Sequence, residues 1–94
     1  MVKFDWDTDK AAENKRKHGV SFERATEVFK DLNRITKEDP CEYEERIQTI
    51  GLNKNGLLWF VVYTSSENGN FIRIISARRT ISIEREEYGN RKLF

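Results

Sequence analysis

Leu57-Leu58-Trp59-Phe60-Val61-Val62-Tyr63-Thr64 is apolar at nearly every position. A strand with one wet face alternates apolar and polar side chains, so an unbroken run reads as a strand covered on both faces. Its seven residues from Leu57 to Tyr63 are the longest apolar run in the chain, far short of the ~20 that span a bilayer. Turn signals bound it on both sides, Asn53-Lys54-Asn55-Gly56 before and Ser65-Ser66-Glu67-Asn68-Gly69-Asn70 after. Beyond those turns lie Arg46–Leu52, which alternates, and Phe71–Arg78, which is apolar but for Arg73 and its end. Antiparallel strands joined by tight turns are the expectation.

The reading changes period on either side of this block. Val2 to Asp7 alternates and suits a short half-buried strand. Asp7 is placed to cap a helix over Thr8 to His18, with acids early (Asp9, Glu13), bases late (Lys15, Arg16, Lys17, His18) and Gly19 as its stop. Ser21 caps a second helix predicted over Phe22 to Lys30, with Phe22, Ala25, Val28 and Phe29 as its buried stripe and Val20 stapled onto Ala25. Arg34 to Lys37 can form a short strand, and Glu38 to Glu45 is an acidic connection that Pro40 keeps non-helical. The tail turns helical again over about Ile81 to Tyr88, capped by Thr80 or Ser82. Segregated rather than alternating elements mean α+β: an N-terminal strand and two helices, then a twisted antiparallel sheet and a C-terminal helix. Residues 1–94 suffice for one domain.

Charged residues make up 35% of the chain, yet 17 bases against 16 acids leave a net charge of +1. Leu, Ile, Val and Phe contribute 24 of the 94 residues, above the ~20% below which a highly charged chain stays disordered. The N-terminus has no apolar segment of the kind a signal peptide carries. Cys41 and His18 are the single cysteine and histidine, which excludes an internal disulfide and a cysteine-cluster metal site. No metal and no cofactor are expected, and the reading is a cytoplasmic protein without membrane association. Cys41 reads as an ordinary exposed loop thiol, because Glu42, Glu44 and Glu45 raise rather than lower a neighbouring thiol's pKa. Triad hydrolases, nucleotide-binding loops and paired-carboxylate metal motifs are absent from the sequence.

Dividing the charge is more informative than summing it. Residues 1–45 hold 9 bases and 12 acids, whereas residues 46–94 hold 8 bases and 4 acids. Arg73, Arg78 and Arg79 lie on the last strand and its exit, with no acid between Phe71 and Ser82. Guanidinium forks suit phosphate oxygens, although Arg78 and Arg79 taken alone are better explained as solvated charges near a strand end. Strand parity puts Arg73 with Phe71, Ile75 and Ala77, and Arg78 on the other face with Ile72, Ile74 and Ser76. An arginine between Phe71 and Ile75 is costly unless paired or facing a polar cleft, so site and structural ion pair weigh evenly. Arg46 opens the partner strand directly after five acids, where a loop-edge salt bridge is the plain alternative. Histidine is the side chain whose unperturbed pKa lies near neutrality, which draws His18 into any acid–base chemistry. Its place at a helix end beside Lys17 is, from spacing alone, better explained by simple dipole capping.

FDWDTDKAAENKRKHGVSFERATEVF, a strand opening at Arg46, LLWFVVYT and FIRIISARRTISIERE closely resemble the BrnT toxins of bacterial type II toxin–antitoxin modules. The resemblance runs from about Phe4 to Tyr88; Thr8 stands where the family usually has proline, which weakens the helix start slightly and touches no chemistry. It implies a RelE-like fold, a ribonuclease activity that inhibits translation and arrests growth, and neutralisation by a BrnA-type ribbon-helix-helix antitoxin. It also implies that operator DNA is contacted through the antitoxin complex. On this reading the chain is a metal-independent endoribonuclease. Arg46 and Arg73 would stabilise the phosphorane, and His18 with Lys17 would transfer protons or contact phosphate. Arg78 with Arg79 would hold flanking phosphates, and Tyr63 would stack on a base. The rival expectation is a non-catalytic RNA- or protein-binding module on the same fold.

Overall fold

The computed structural model describes residues 2–92, with side chains through Asn90. Strands β1 (Lys3–Asp5), β2 (Ile35–Asp39), β3 (Arg46–Leu52), β4 (Leu58–Ser65) and β5 (Phe71–Arg79) form one sheet of order β1-β5-β4-β3-β2. Helices α1 (Thr8–His18) and α2 (Phe22–Ala25) lie between β1 and β2 in the chain, and α3 (Ser82–Lys92) follows β5. The α+β expectation holds, with one difference in the sheet. β2 through β5 are antiparallel, but β1 joins β5 in parallel, so the sheet is mixed. A strand that leaves through two helices before the meander begins can return to the sheet in this sense, which no hairpin permits.

The caps form where local chemistry placed them. Asp7 Oδ1 accepts from the backbone N–H groups of Asp9 (2.9 Å) and Lys10 (3.0 Å), and these bonds hold its carboxyl below the ordinary range. Gly19 ends α1 at φ 71°, a conformation that costs a side-chain-bearing residue and not glycine. Ser21 Oγ accepts from Arg24 N–H, but the helix predicted to Lys30 stays α-helical only to Ala25 and then tightens to a 3₁₀ turn over Thr26–Lys30. Thr26, Val28 and Phe29 are poor helix formers there, and Thr26 Oγ1 donates to the Glu23 carbonyl at 2.7 Å. Leu57 closes its turn instead of opening β4, because Asn53 engages both its N–H (3.0 Å) and its carbonyl (2.8 Å). Glu38 and Asp39, expected in the acidic connection, belong to β2, where Asp39 accepts from Gln48 Nε2 at 2.6 Å.

β4 is covered on both faces, as its composition requires. Trp59, Val61 and Tyr63 join Val20, Phe22, Ala25 and Val28 in a core beneath α1 and α2. Phe60 and Val62 point the other way and pack with Ile50 and Tyr88 beneath α3. Phe22 and Val28 have no exposed surface, and full burial of such a side chain contributes roughly 1.5–3 kcal/mol. The 3₁₀ turn sits so close on β3 that a Cβ at Gly51 would meet Val28 Cβ and Val28 O at 3.1 Å.

β5 contains the departure that matters most for the site. Its ladder with β4 pairs Val62 with Ser76 but Tyr63 with Ile74, leaving Ile75 as the extra residue of a β-bulge. Uninterrupted alternation therefore fails. Ile72, Ile74 and Ala77 face α1 and α2, while Arg73, paired with Thr64, and Arg78, paired with Phe60, share the face that carries α3. The expectation that Arg73 and Arg78 lie on opposite faces is overturned by this one residue.

Candidate functional site

Arg46 belongs to the same face as Arg73 and Arg78, being in phase with Ile50, which packs beneath α3. Arg46 and Arg73 also share one end of the sheet. Ile47 pairs with Tyr63, and Arg73 pairs with the next residue, Thr64. Arg73 is half exposed, and its NH1 donates to Asp5 Oδ2 at 3.2 Å across the parallel β1–β5 pair. Both partners are open to water, so this pair contributes only ~0–1 kcal/mol and is readily exchanged for another anion. Arg46 Nε donates to Glu44 Oε1 at 2.8 Å, which raises the arginine's pKa further. The cleft it faces, about 380 Å³, is lined by Glu38, Asp39, Glu44 and Glu45 together with Cys41 and Ser65. Cys41 is half-buried in that wall rather than an exposed loop thiol.

Arg78 is held differently. Its guanidinium lies 4.1 Å from the centroid of the Phe60 ring and donates to both carboxylate oxygens of Glu84, at 2.9 and 2.8 Å. Burial alone would raise the Glu84 carboxyl, but the Arg78 fork and the Ile81 N–H (2.9 Å) together hold it below its ordinary value. Arg78 is thereby engaged by α3 and is not free to hold a flanking phosphate as folded. Tyr63 does not form a stacking platform either. It is 7% exposed, with its ring edge-on to Phe29 at 4.8 Å, and burial pushes its hydroxyl pKa up.

His18 and Lys17 are exposed at the end of α1, which packs on the opposite sheet face through Ala11 and Asn14. Arg79, paired with Trp59, is also on that face and at the far end of the sheet from Arg73. The fold thus brings Arg46 and Arg73 together, sets Arg78 on their face under α3, and leaves His18, Lys17 and Arg79 behind the sheet. Among the described residues no three His, Cys, Asp or Glu side chains converge in a way that would hold a metal ion. The residue missed from sequence is Glu84, which both caps α3 and neutralises Arg78. Its signal was a glutamate three residues after the helix entry, weakened because Ile81, not a hydroxyl residue, occupies the cap.

A small α+β protein with helices on both faces of a mixed five-stranded sheet and arginines gathered on one of them is the class so defined. Residues 6–84 match the family described as "Ribonuclease toxin, BrnT, of type II toxin-antitoxin system". The chain belongs to the BrnT family of ribonuclease toxins. Among solved structures it is similar to the crystal structure of the Brucella abortus ribonuclease toxin BrnT, with a TM-score of 0.63 and 21% sequence identity, covering 87% of this chain and 100% of that one. The shared fold follows from this second match. No curated protein matches the chain. The family also entails an antitoxin partner.

Proposed function

We propose that the chain cleaves RNA without a metal ion, inhibits translation in the cytoplasm and so arrests growth, and is neutralised by a BrnA-type ribbon-helix-helix antitoxin through which the pair reaches its operator DNA. The observation that carries this reading is the Ile75 bulge, which sets exposed Arg73 on the face of Arg46, beside a carboxylate that a phosphate can displace. In the reaction, a base takes the ribose 2′-OH proton, the freed oxygen attacks phosphorus, and the 5′ oxygen leaves with a proton. A 2′,3′-cyclic phosphate and a 5′-hydroxyl remain. Arg46 and Arg73 oppose the charge that grows on the non-bridging oxygens. His18 with Lys17, expected from the sequence to transfer protons, stands behind the sheet from these guanidiniums and could act only on RNA that reaches around to that face. Glu44 and Asp5, which touch the two guanidiniums, are the competing bases.

The test is incubation of purified protein with RNA in EDTA. Cleavage that persists there, falls at least ~100-fold in Arg73→Ala and leaves cyclic phosphate ends supports the assignment. Because the Arg73–Asp5 pair is exposed, the variant's stability should change by no more than about 1 kcal/mol, so the loss reports chemistry. His18→Ala at full activity, with Glu44→Gln inactive, would move the base to Glu44.

A second reading, a non-catalytic RNA- or protein-binding module, is favoured by one observation. Arg46, Arg73 and Arg78 each already hold a carboxylate, while His18 stands behind the sheet. A gel shift without any cleavage would decide for it.

A further inference from the structure

At the end of the sheet remote from Arg46 and Arg73, the β3–β4 turn and the exit of β5 enclose a groove of about 370 Å³. Leu52, Leu57, Leu58 and Trp59 give it an apolar lining, and Arg79 and Arg85 also line it, with no carboxylate among the described lining residues. Leu57 is 48% exposed, and so is 55% of Ile81, the residue after the groove's Thr80. Arg85 NH1 donates to the Thr80 carbonyl at 2.6 Å, which holds that side chain in place. Among the described residues neither Arg79 nor Arg85 forms an ion pair, in contrast to Arg46, Arg73 and Arg78. Trp59 is 7% exposed, and its indole Nε1–H is buried without an acceptor among the described residues.

We propose that this groove docks a segment of the antitoxin in which apolar side chains lie between carboxylates. The proposal rests on the antitoxin partner that the family entails, and not on the assignment of the cleavage site. Two unpaired guanidiniums at an apolar groove match that chemistry, because carboxylates bind them bidentately while aliphatic side chains leave water against Leu57 and Ile81. RNA would use the arginines and gain nothing from exposed leucine and isoleucine. Trp59, the aromatic ring among the described lining residues, is too buried to stack on a base. Arg79 and Arg85 give this groove positive charge without an ion-pair partner among the described residues, whereas the Arg46 cleft at the other end is walled by acids. A segment docked here therefore leaves the Arg46–Arg73 end open to separate coverage.

The test uses full-length protein and the antitoxin encoded in the same operon, titrated calorimetrically. Leu57→Glu and Arg85→Glu should each raise the dissociation constant at least ~10-fold, with circular dichroism and melting temperature retained and RNA cleavage by the free toxin unchanged. In a Trp6→Phe background, antitoxin binding should also shift the emission of Trp59. Affinities within ~2-fold of wild type for both folded variants overturn the proposal. So does an Arg85→Glu variant that keeps antitoxin affinity and loses RNA binding, since the groove then belongs to RNA. Arg73→Ala should leave antitoxin affinity intact, which separates failure here from failure of the ribonuclease reading.

Discussion

The side-chain amide of Asn14 pairs with the backbone of Ala77 as a neighbouring strand would. Asn14 Nδ2 donates to the Ala77 carbonyl at 2.8 Å, and Ala77 N–H donates to Asn14 Oδ1 at 3.2 Å. β1 accompanies β5 only along Phe71 to Arg73, so beyond that point β5 has no strand on its outer side. Asn14 fills one station of the missing ladder, and the same Nδ2 reaches the Val20 carbonyl at 3.0 Å, tying the chain after α1 to the sheet.

Asn14→Ala strands buried donors and acceptors on Ala77 and Val20, and should destabilise the protein by about 2–4 kcal/mol. Asn14→Asp should cost more, because it removes both donors and points an anion at two carbonyls. Urea denaturation measures both, and an alanine variant within about 0.5 kcal/mol of wild type would refute the role given to this amide.

Glu84 fastens α3 by capping its first turn and holding the Arg78 fork. Glu84→Gln should cost about 1–3 kcal/mol at neutral pH, since the pair is buried on the glutamate side and half open on the arginine side. The Glu84 carboxyl is lowered in the folded state from its ordinary 4.5. The unfolded chain therefore takes up that proton first as pH falls, so this stabilisation is complete above about 4.5 and disappears as pH drops through the folded value. Thermal melts in acid should show a shallower decline for Glu84→Gln than for wild type. Equal slopes would contradict the linkage.

Tyr88 anchors the other side of α3. Its hydroxyl donates to Asp31 Oδ2 at 2.6 Å, and Leu52 N–H donates to the same oxygen at 2.9 Å. Burial, reinforced by the Asp31 carboxylate, pushes its pKa up to about 12 from 10.0. The sign is opposite to that of Glu84, because the folded state now keeps a proton that the unfolded state releases. Stability from this source is present below pH 10 and is lost as pH rises towards 12. Following tyrosinate absorbance, Tyr88→Phe should delete the latest step of the titration; a variant retaining that step would show the late ionisation belongs elsewhere.

Gly51 is the position where β3 admits the 3₁₀ turn. A Cβ there would stand 3.1 Å from both Val28 Cβ and the Val28 carbonyl oxygen and 3.2 Å from Arg34 Cβ. Two of those neighbours are fully committed, Val28 being buried on the turn and its carbonyl being backbone, so little can yield. Gly51→Ala should destabilise by about 1–3 kcal/mol, against the stabilisation that alanine usually confers in an unstrained strand. Chemical denaturation of the single variant is sufficient to check it.

What was legible in the sequence was whatever a few adjacent residues decide among themselves. Asp7 and Ser21 cap their helices and Gly19 stops one because each acts within a single turn. The two-sided burial of β4 was written in Trp59 to Tyr63. The mixed sheet was not legible, since the pairing of Phe4 with Ile72 joins opposite ends of the chain and leaves no local mark on either. Arg46 and Arg73 stood out by charge, but that they share one face did not, and the edge-on contact of Tyr63 with Phe29 comes from another element. The bulge escaped for the same reason: Phe71 to Arg79 contains no glycine or proline to announce it, and only the fit against β4 decides which residue is left over.

That leftover residue separates the length of β5 from its alignment. The strand carries one residue more than its neighbour can match, so excising Ile75 would let the ladder close evenly, with Trp59 still opposite Arg79 and Ser65 still opposite Ile72. Only the packing of Ile75 beneath α3 would be given up. Excising Ile74 or Ala77 instead would consume the slack while removing a buried side chain from the main core. Within this strand, tolerance to shortening should therefore be concentrated at a single peptide unit, and chains of this family one residue shorter there can keep both arginines facing the same way.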